Sequence, residues 1–280
     1  MEIREIEQNS AYYPSEWQAF SDKPQTLFAV GNVELLLQRK LTVVGSRRTP
    51  KAMLSLGETV AKELAEGFVL VTGAADGGDS AAIQGALSSG NIICVLAGGF
   101  SALPQGNLSL LQTVMGKGLV LSLHPYEIPV RNFSYAYRNK LIAALGQGTL
   151  VLGAGEKSGA LTTATYAERF QKPVFAFPYP PNSPVGAGCN ALIKRGACLT
   201  ESAKDVFERL GIEYTEQKTL VSLTEAERQI LNVCKETGES HIAEISAKSG
   251  VPVFKARAIL SALQVKGLVV EIGGNRFSIT

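Results

Sequence analysis

Between about residues 40 and 212 the chain repeats one pattern, a short wholly apolar run followed by a stretch long enough for a helix. The runs are Leu41–Val44, Phe68–Val71, Ile92–Leu96, Leu119–Leu123, Leu150–Leu152 and Val174–Phe177. Strands that lack polar alternation are covered on both faces, which is the condition of a parallel sheet. The segments between them supply the cover: Ala52–Ala65, Ser80–Leu87, Leu108–Val114, Arg138–Leu145 and Ala160–Phe170 have room for helices. The pattern predicts a Rossmann-like, doubly wound, mostly parallel α/β sheet over 39–214. In such sheets ligands bind beyond the carboxyl ends of the strands, where the strand order reverses. Chemistry is therefore to be sought in the loops that follow strands.

Two flanking zones differ from this middle. Residues 1–38 carry irregular apolar anchors (Tyr13, Trp17, Phe20, Leu27-Phe28, Leu35-Leu36-Leu37) broken by Pro14 and Pro24. That spacing predicts a short helical lead-in packed on the larger domain. After a polar link, Glu213–Thr219, residues 220–280 form a third zone. Ala226, Ile230 and Val233, then Ile242 and Ile245, then Val253, Ala256, Leu260 and Leu263 are spaced for three helix faces. Leu268, Val270 and Ile272 alternate as in a strand, and Gly273-Gly274-Asn275 is a hairpin turn. Three helices and a hairpin predict a C-terminal winged helix.

Composition narrows the function classes. With 45% hydrophobic and 19% charged residues, a disordered polyelectrolyte is excluded. Lys+Arg number 27 against 25 Asp+Glu, so any anion-binding surface must be a local patch. No secretory signal or membrane-length apolar stretch is evident. The four scattered cysteines read as buried thiols of a reducing compartment, so a cytoplasmic location is expected. Two histidines, His124 and His241, are too few for a Cys/His zinc site, and no G-x-S-x-G elbow occurs. The expectation is a binding protein without cofactor or metal, and no enzyme.

Three strand-to-helix loops and one helix start carry the candidate chemistry. Gly45-Ser46-Arg47-Arg48-Thr49-Pro50 joins a helix start, with Thr49 as cap, to two guanidinium forks, a composition suited to phosphate. The bland alternative is a solvated arginine pair. Thr72–Ser80 has three glycines and Asp79 as a candidate cap, and a structural turn is as good a reading as a binding loop. Gly153–Gly159 matches neither G-x-G-x-x-G nor a Walker loop, yet Lys157, Ser158 and Gly159 with the following amides suit a phosphate. In Phe133–Lys140, aromatics interleave with Arg138 and Lys140, a pattern that suits single-stranded nucleic acid, although aromatics near a helix start are more often core. Neither cation has a carboxylate partner nearby in sequence.

In this order the segments resemble the DNA-processing protein A family (DprA, also called Smf). The resemblance covers nearly the whole chain: Tyr13-Pro14 with Pro24 and Leu27-Phe28, Val43–Arg47, Thr72–Asp79, Arg138-Asn139-Lys140, Ser158–Ala164 and Gly188–Ala197. It implies a cytoplasmic bacterial protein that binds single-stranded DNA, forms a homodimer and helps load RecA recombinase during natural transformation. Carried over by motif, Gly45, Ser46 and Arg47 hold a DNA phosphate. Arg138, Asn139 and Lys140 line the neighbouring basic pocket, Ser158 and Gly159 its rim, and Phe133 takes the place of an aromatic. Asp76 departs from the family's usual arginine, Gly78 from isoleucine, Ile83 from histidine and Lys140 from arginine. Leu123 and Gly153 each stand where the family has glutamate.

Two other readings stand beside this one. A Rossmann-type crevice also suits a nucleotide or phosphoribosyl small-molecule sensor or enzyme. Alternatively the winged helix reads duplex DNA through Lys255, Arg257 and Lys266, although 223–280 holds seven Lys+Arg against six Asp+Glu.

Overall fold

The computed structural model describes residues 2–214 and 223–279 and divides into two compact units, 1–216 and 217–280. The larger unit begins with two strands, β1 (Arg4–Glu7) and β2 (Thr26–Gly31). Then come β3 (Lys40–Gly45), α1 (Lys51–Leu64), β4 (Val69–Thr72), α2 (Gly78–Ala86) and β5 (Ile92–Leu96). The chain continues through α3 (Leu108–Lys117), β6 (Leu119–Ser122), α4 (Asn132–Leu145), β7 (Thr149–Gly153) and α5 (Gly159–Arg169). It closes with β8 (Val174–Ala176), α6 (Ala187–Lys194), β9 (Cys198–Leu199) and α7 (Ala203–Arg209).

The sheet order is β1-β2-β6-β5-β4-β3-β7-β8-β9. The seven strands from β6 to β9 along this order are parallel, while β2 pairs antiparallel with both β1 and β6. Each strand from β3 to β8 is buried throughout, as the uninterrupted apolar runs require. From β3 the chain winds outward through β4 and β5 to β6, then returns to β7 on the other side of β3 and winds the opposite way. Right-handed crossovers in opposite directions set their helices on opposite faces. Consistently, α1 packs on α2, α4 packs on α5, and β3 lies against helices of both pairs. The order therefore reverses between β3 and β7.

The first 38 residues are a correction. They are no helical lead-in: β1 and β2 extend the sheet beyond β6, and among the described residues here the only helical turns are two short 3-10 segments, Ser15–Trp17 and Val33–Leu37. Between the strands the chain crosses onto α4. Trp17 is fully buried and its indole Nε1 donates to Leu141 O at 3.0 Å. The Phe20 ring packs 5.3 Å from that of Phe170, just past α5.

The smaller unit contains α8 (Glu225–Thr237), β10 (Ser240–His241), α9 (Ile242–Ser249), α10 (Val253–Val265), β11 (Val269–Gly273) and β12 (Arg276–Ile279). Its strands pair in the order β10-β12-β11 around a separate core that includes Ile230, Ile245, Leu260 and Phe277. Thr224 and Glu227 form a reciprocal capping box on α8, and His241 Nδ1 accepts the Ala243 N–H at 3.2 Å to cap α9. The polar link expected at Glu213–Thr219 lies, beyond Tyr214, outside the described residues.

A cationic cleft at the point where the strand order reverses

A cleft of about 670 Å³ opens beyond the carboxyl ends of β3 and β7. Its lining includes Gly45 at the end of β3, Ser46, Arg47 and Arg48 from the loop after it, Glu156, Lys157 and Ser158 from the loop after β7, and Gly159 at the start of α5. Tyr135, Arg138 and Asn139 of α4 form another wall. Nine of the eleven candidate residues meet here; Phe133 and Lys140 do not.

Helical periodicity explains both exceptions. Because α4 begins at Asn132, positions 135, 138 and 139 share one face at the three-and-four spacing. Lys140 is two residues past Arg138, about 200° around the helix, and Phe133 is five before it, about 140° away. Lys140 faces the N-terminal segment, where its Nζ lies 2.5 Å from Asp22 Oδ1 and 4.4 Å from the centre of the Phe20 ring. Its hydrogen bond and charge hold the Asp22 carboxyl below the usual range. Phe133 is exposed to solvent outside the cleft. Tyr135 is the residue the motif reading passed over, and placing the helix start at Asn132 would have singled it out.

Arg47 and Arg138 line the same cleft but differ in kind. Arg47 is exposed on the rim. Arg138 is only 6% exposed and forms the floor, donating to the carbonyls of Gly73 and Val95, the latter at 3.0 Å. Burial pushes its pKa down, opposed chiefly by the charge of buried Asp79. Burial pushes the Asp79 carboxyl upward, opposed chiefly by Arg138 and by backbone N–H groups. Asp79 accepts the Gly45 N–H at 3.0 Å and the Ala75 N–H at 3.1 Å, so one carboxylate ties the loop after β3 to the loop after β4. The expected capping roles of Asp79 and Thr49 are corrected accordingly. Asp79 lies inside the first turn of α2, and Thr49 donates its hydroxyl to Ser46 O at 2.8 Å.

The glycines of Thr72–Ser80 serve this loop-on-loop packing. A Cβ on Gly45 would lie 2.7 Å from Gly78 Cα, and Gly77 combines a φ of +83° with contact against Ser46 and Arg47. Across the cleft, Ser158 caps α5 by accepting the Ala160 N–H at 3.3 Å. Asn139 Nδ2 donates to Gly159 O at 3.3 Å. A Cβ at Gly159 would meet nothing within 4 Å, so the first turn of α5 is open to approach. The lining carries four cations (Arg47, Arg48, Arg138, Lys157) and two carboxylates (Asp79, Glu156). Cationic rims beside the positive end of a helix suit a phosphate-bearing ligand.

His124 lies outside this lining. Among the described residues no three His, Cys, Asp or Glu side chains stand together as a metal site, and no helix is long and apolar enough to cross a membrane.

The model of the DNA recombination-mediator protein A family matches residues 5–211. The chain belongs to that family. DNA processing protein DprA of Bacillus subtilis is 34% identical over 221 residues, covering 76% of this chain and 74% of its own. A Mycobacterium tuberculosis DprA relative is 34% identical over 261 residues, which is 88% of this chain. This chain spans 66% of that relative's length. Among solved structures, DprA of Streptococcus pneumoniae superposes with a TM-score of 0.70 at 32% identity, over 76% of this chain and 75% of that one. DNA processing protein A of Helicobacter pylori, studied for its unique single-stranded DNA binding mode, gives 0.69 at 28% identity, over 76% of this chain and 97% of its own.

Proposed function

We propose that this protein is a non-catalytic recombination mediator that binds single-stranded DNA by its backbone in the cleft between β3 and β7. One observation carries the reading: exposed Arg47, Arg48 and Lys157 converge with the open first turn of α5 where the strand order reverses. Gly45, Ser46, Ser158 and Gly159 let the backbone approach, Arg47 and Arg48 meet phosphates, and Asn139 orients the rim. Arg138 acts from beneath as a fixed positive floor. Contacts of this kind ignore base identity and respond steeply to salt.

The family supports the wider assignment: a cytoplasmic, homodimeric protein that loads RecA recombinase onto incoming single strands during natural transformation. The parallel sheet winding both ways from β3 and β7 supports a Rossmann-like domain. Helices α8–α10 followed by the β11–β12 hairpin support a winged helix in the smaller unit.

The test is fluorescence anisotropy with oligo-dT at several salt concentrations. Arg47→Ala is expected to weaken binding about tenfold, on the scale of one charge-assisted hydrogen bond. It should also lower the slope of log affinity against log salt by about 0.7, one phosphate's share on a single strand. Unchanged affinity and slope would remove the site. Stabilisation by a mononucleotide with none by oligonucleotides would transfer the assignment to a small-molecule sensor.

A further inference from the structure

Beside the cleft lies a second cavity of about 210 Å³, which shares Arg47, Gly73, Ala75, Tyr135 and Arg138 with it. We propose that this smaller cavity is a base-reading subsite that favours a nucleobase with hydrogen-bond donors on its pairing edge, guanine above all. The inference rests on the backbone-binding reading above and deepens it.

The two cavities differ in chemistry. The larger collects cations, whereas the smaller has Leu96, Val130 and Pro104 among its walls and, apart from the shared arginines, one charged group, Asp76. Gln105 adds a neutral amide, and apolar walls with a few directed polar groups suit a flat heterocycle better than a phosphate. Tyr135 lines both cavities and is 42% exposed, so a strand passing between them meets its ring. Unstacked bases rest on such rings and are read along their pairing edges.

Asp76 decides which base. Its carboxylate is exposed and makes no hydrogen bond or ion pair among the described residues. It lies against Gly106, where a Cβ would come within 2.3 Å of Oδ1. An ionised carboxylate only accepts hydrogen bonds, so it repels a phosphate and needs an N–H partner. Guanine offers N1–H and the N2 amine side by side, matching two carboxylate oxygens. Cytosine and adenine offer one amine each, and thymine one N–H between two carbonyls. The order expected is guanine first, cytosine and adenine next, thymine last.

The experiment measures affinities of the full chain for four 12-mers at one salt concentration: dT12, d(GT)6, d(CT)6 and d(IT)6, where I is inosine, which keeps N1–H and lacks the N2 amine. Binding of d(GT)6 five- to tenfold tighter than dT12, with d(IT)6 between, supports the subsite. In Asp76→Asn the spread should shrink to within twofold while dT12 binds no worse. Since Asp76 makes no hydrogen bond or ion pair among the described residues and asparagine has its shape, this variant should melt with the wild type. Equal wild-type affinities for all four, or a guanine preference that survives Asp76→Asn, overturns the subsite but leaves the backbone groove standing. Failure of dT12 and the others alike to bind overturns the groove, and the subsite with it.

Discussion

Arg138 sits in the middle of the sequence motif, yet its burial makes it a stability residue first. Replacing it by alanine strands the Asp79 carboxylate in the interior and leaves the carbonyls of Gly73 and Val95 without their donor. Hydrogen bonds from a charged donor are worth about 1.5–3 kcal/mol each and the buried Asp79 charge loses its countercharge as well, so the loss is about 3–5 kcal/mol. For a domain of this size each kcal/mol shifts Tm by about 2–4 °C, so Arg138→Ala should melt roughly 6–20 °C lower. Asp79→Asn should cost a similar amount, because it strands the guanidinium instead. The double variant Asp79→Asn/Arg138→Met leaves no lone charge and should fall short of the sum of the singles by about 1–3 kcal/mol. Arg47→Ala, at an exposed rim, should stay within about 0.5 kcal/mol of wild type. The assay is built in: Trp17 is the one tryptophan of the chain and is fully buried in the larger unit, so its emission reports that unit alone during unfolding. A wild-type melting curve for Arg138→Ala, or strict additivity in the double variant, would refute the account of a paired guanidinium floor.

Further outcomes follow from the same geometry. Lys140→Ala should leave oligo-dT affinity within about twofold in anisotropy, since its ammonium is engaged by Asp22 on the far side of α4. Gly45→Ala should lose about 1–3 kcal/mol by Trp17-monitored denaturation because its methyl meets Gly78 backbone. Gly116→Ala, inside α3 with open space around it, should instead gain about 0.5–1 kcal/mol. Burial lowers the His124 pKa below its ordinary 6.5, so the unfolded chain binds the proton more tightly. Stability should therefore fall as pH drops below about 6.5 toward the lowered value, and His124→Gln should flatten that part of a Tm-against-pH curve.

The sheet was legible because its evidence is local: an apolar run such as Ile92–Leu96 can be little else than a strand covered on both sides. The antiparallel extension was not. Strand β1 buries only Ile6 among Arg4, Glu5 and Glu7, so its apolar content is one residue and its meaning comes from β2 and β6. Within the site, the loops after β3 and β7 could each be read as phosphate candidates from their residues, but that they stand side by side follows from the strand order. The pairing of the charges on α4 could not be read. Asp79, in the first turn of α2, supplies the buried countercharge to Arg138, and Asp22 pairs with Lys140 from the N-terminal segment; both are remote in sequence, so a search for neighbouring carboxylates finds neither. The division of labour between a rim arginine and a floor arginine is likewise a property of depth, which residue type does not encode.

The hairpin-like addition of β1 and β2 has a consequence for how the molecule is cut. Strand β2 occupies the free side of β6, whose residues Leu119–Ser122 are all buried. A fragment trimmed to begin at Lys40 would bare that apolar edge with its hydrogen-bonding groups unpaired, a template for joining another sheet. Self-association of such a fragment would record a lost sheet neighbour, and oligomer states belong to the untrimmed chain.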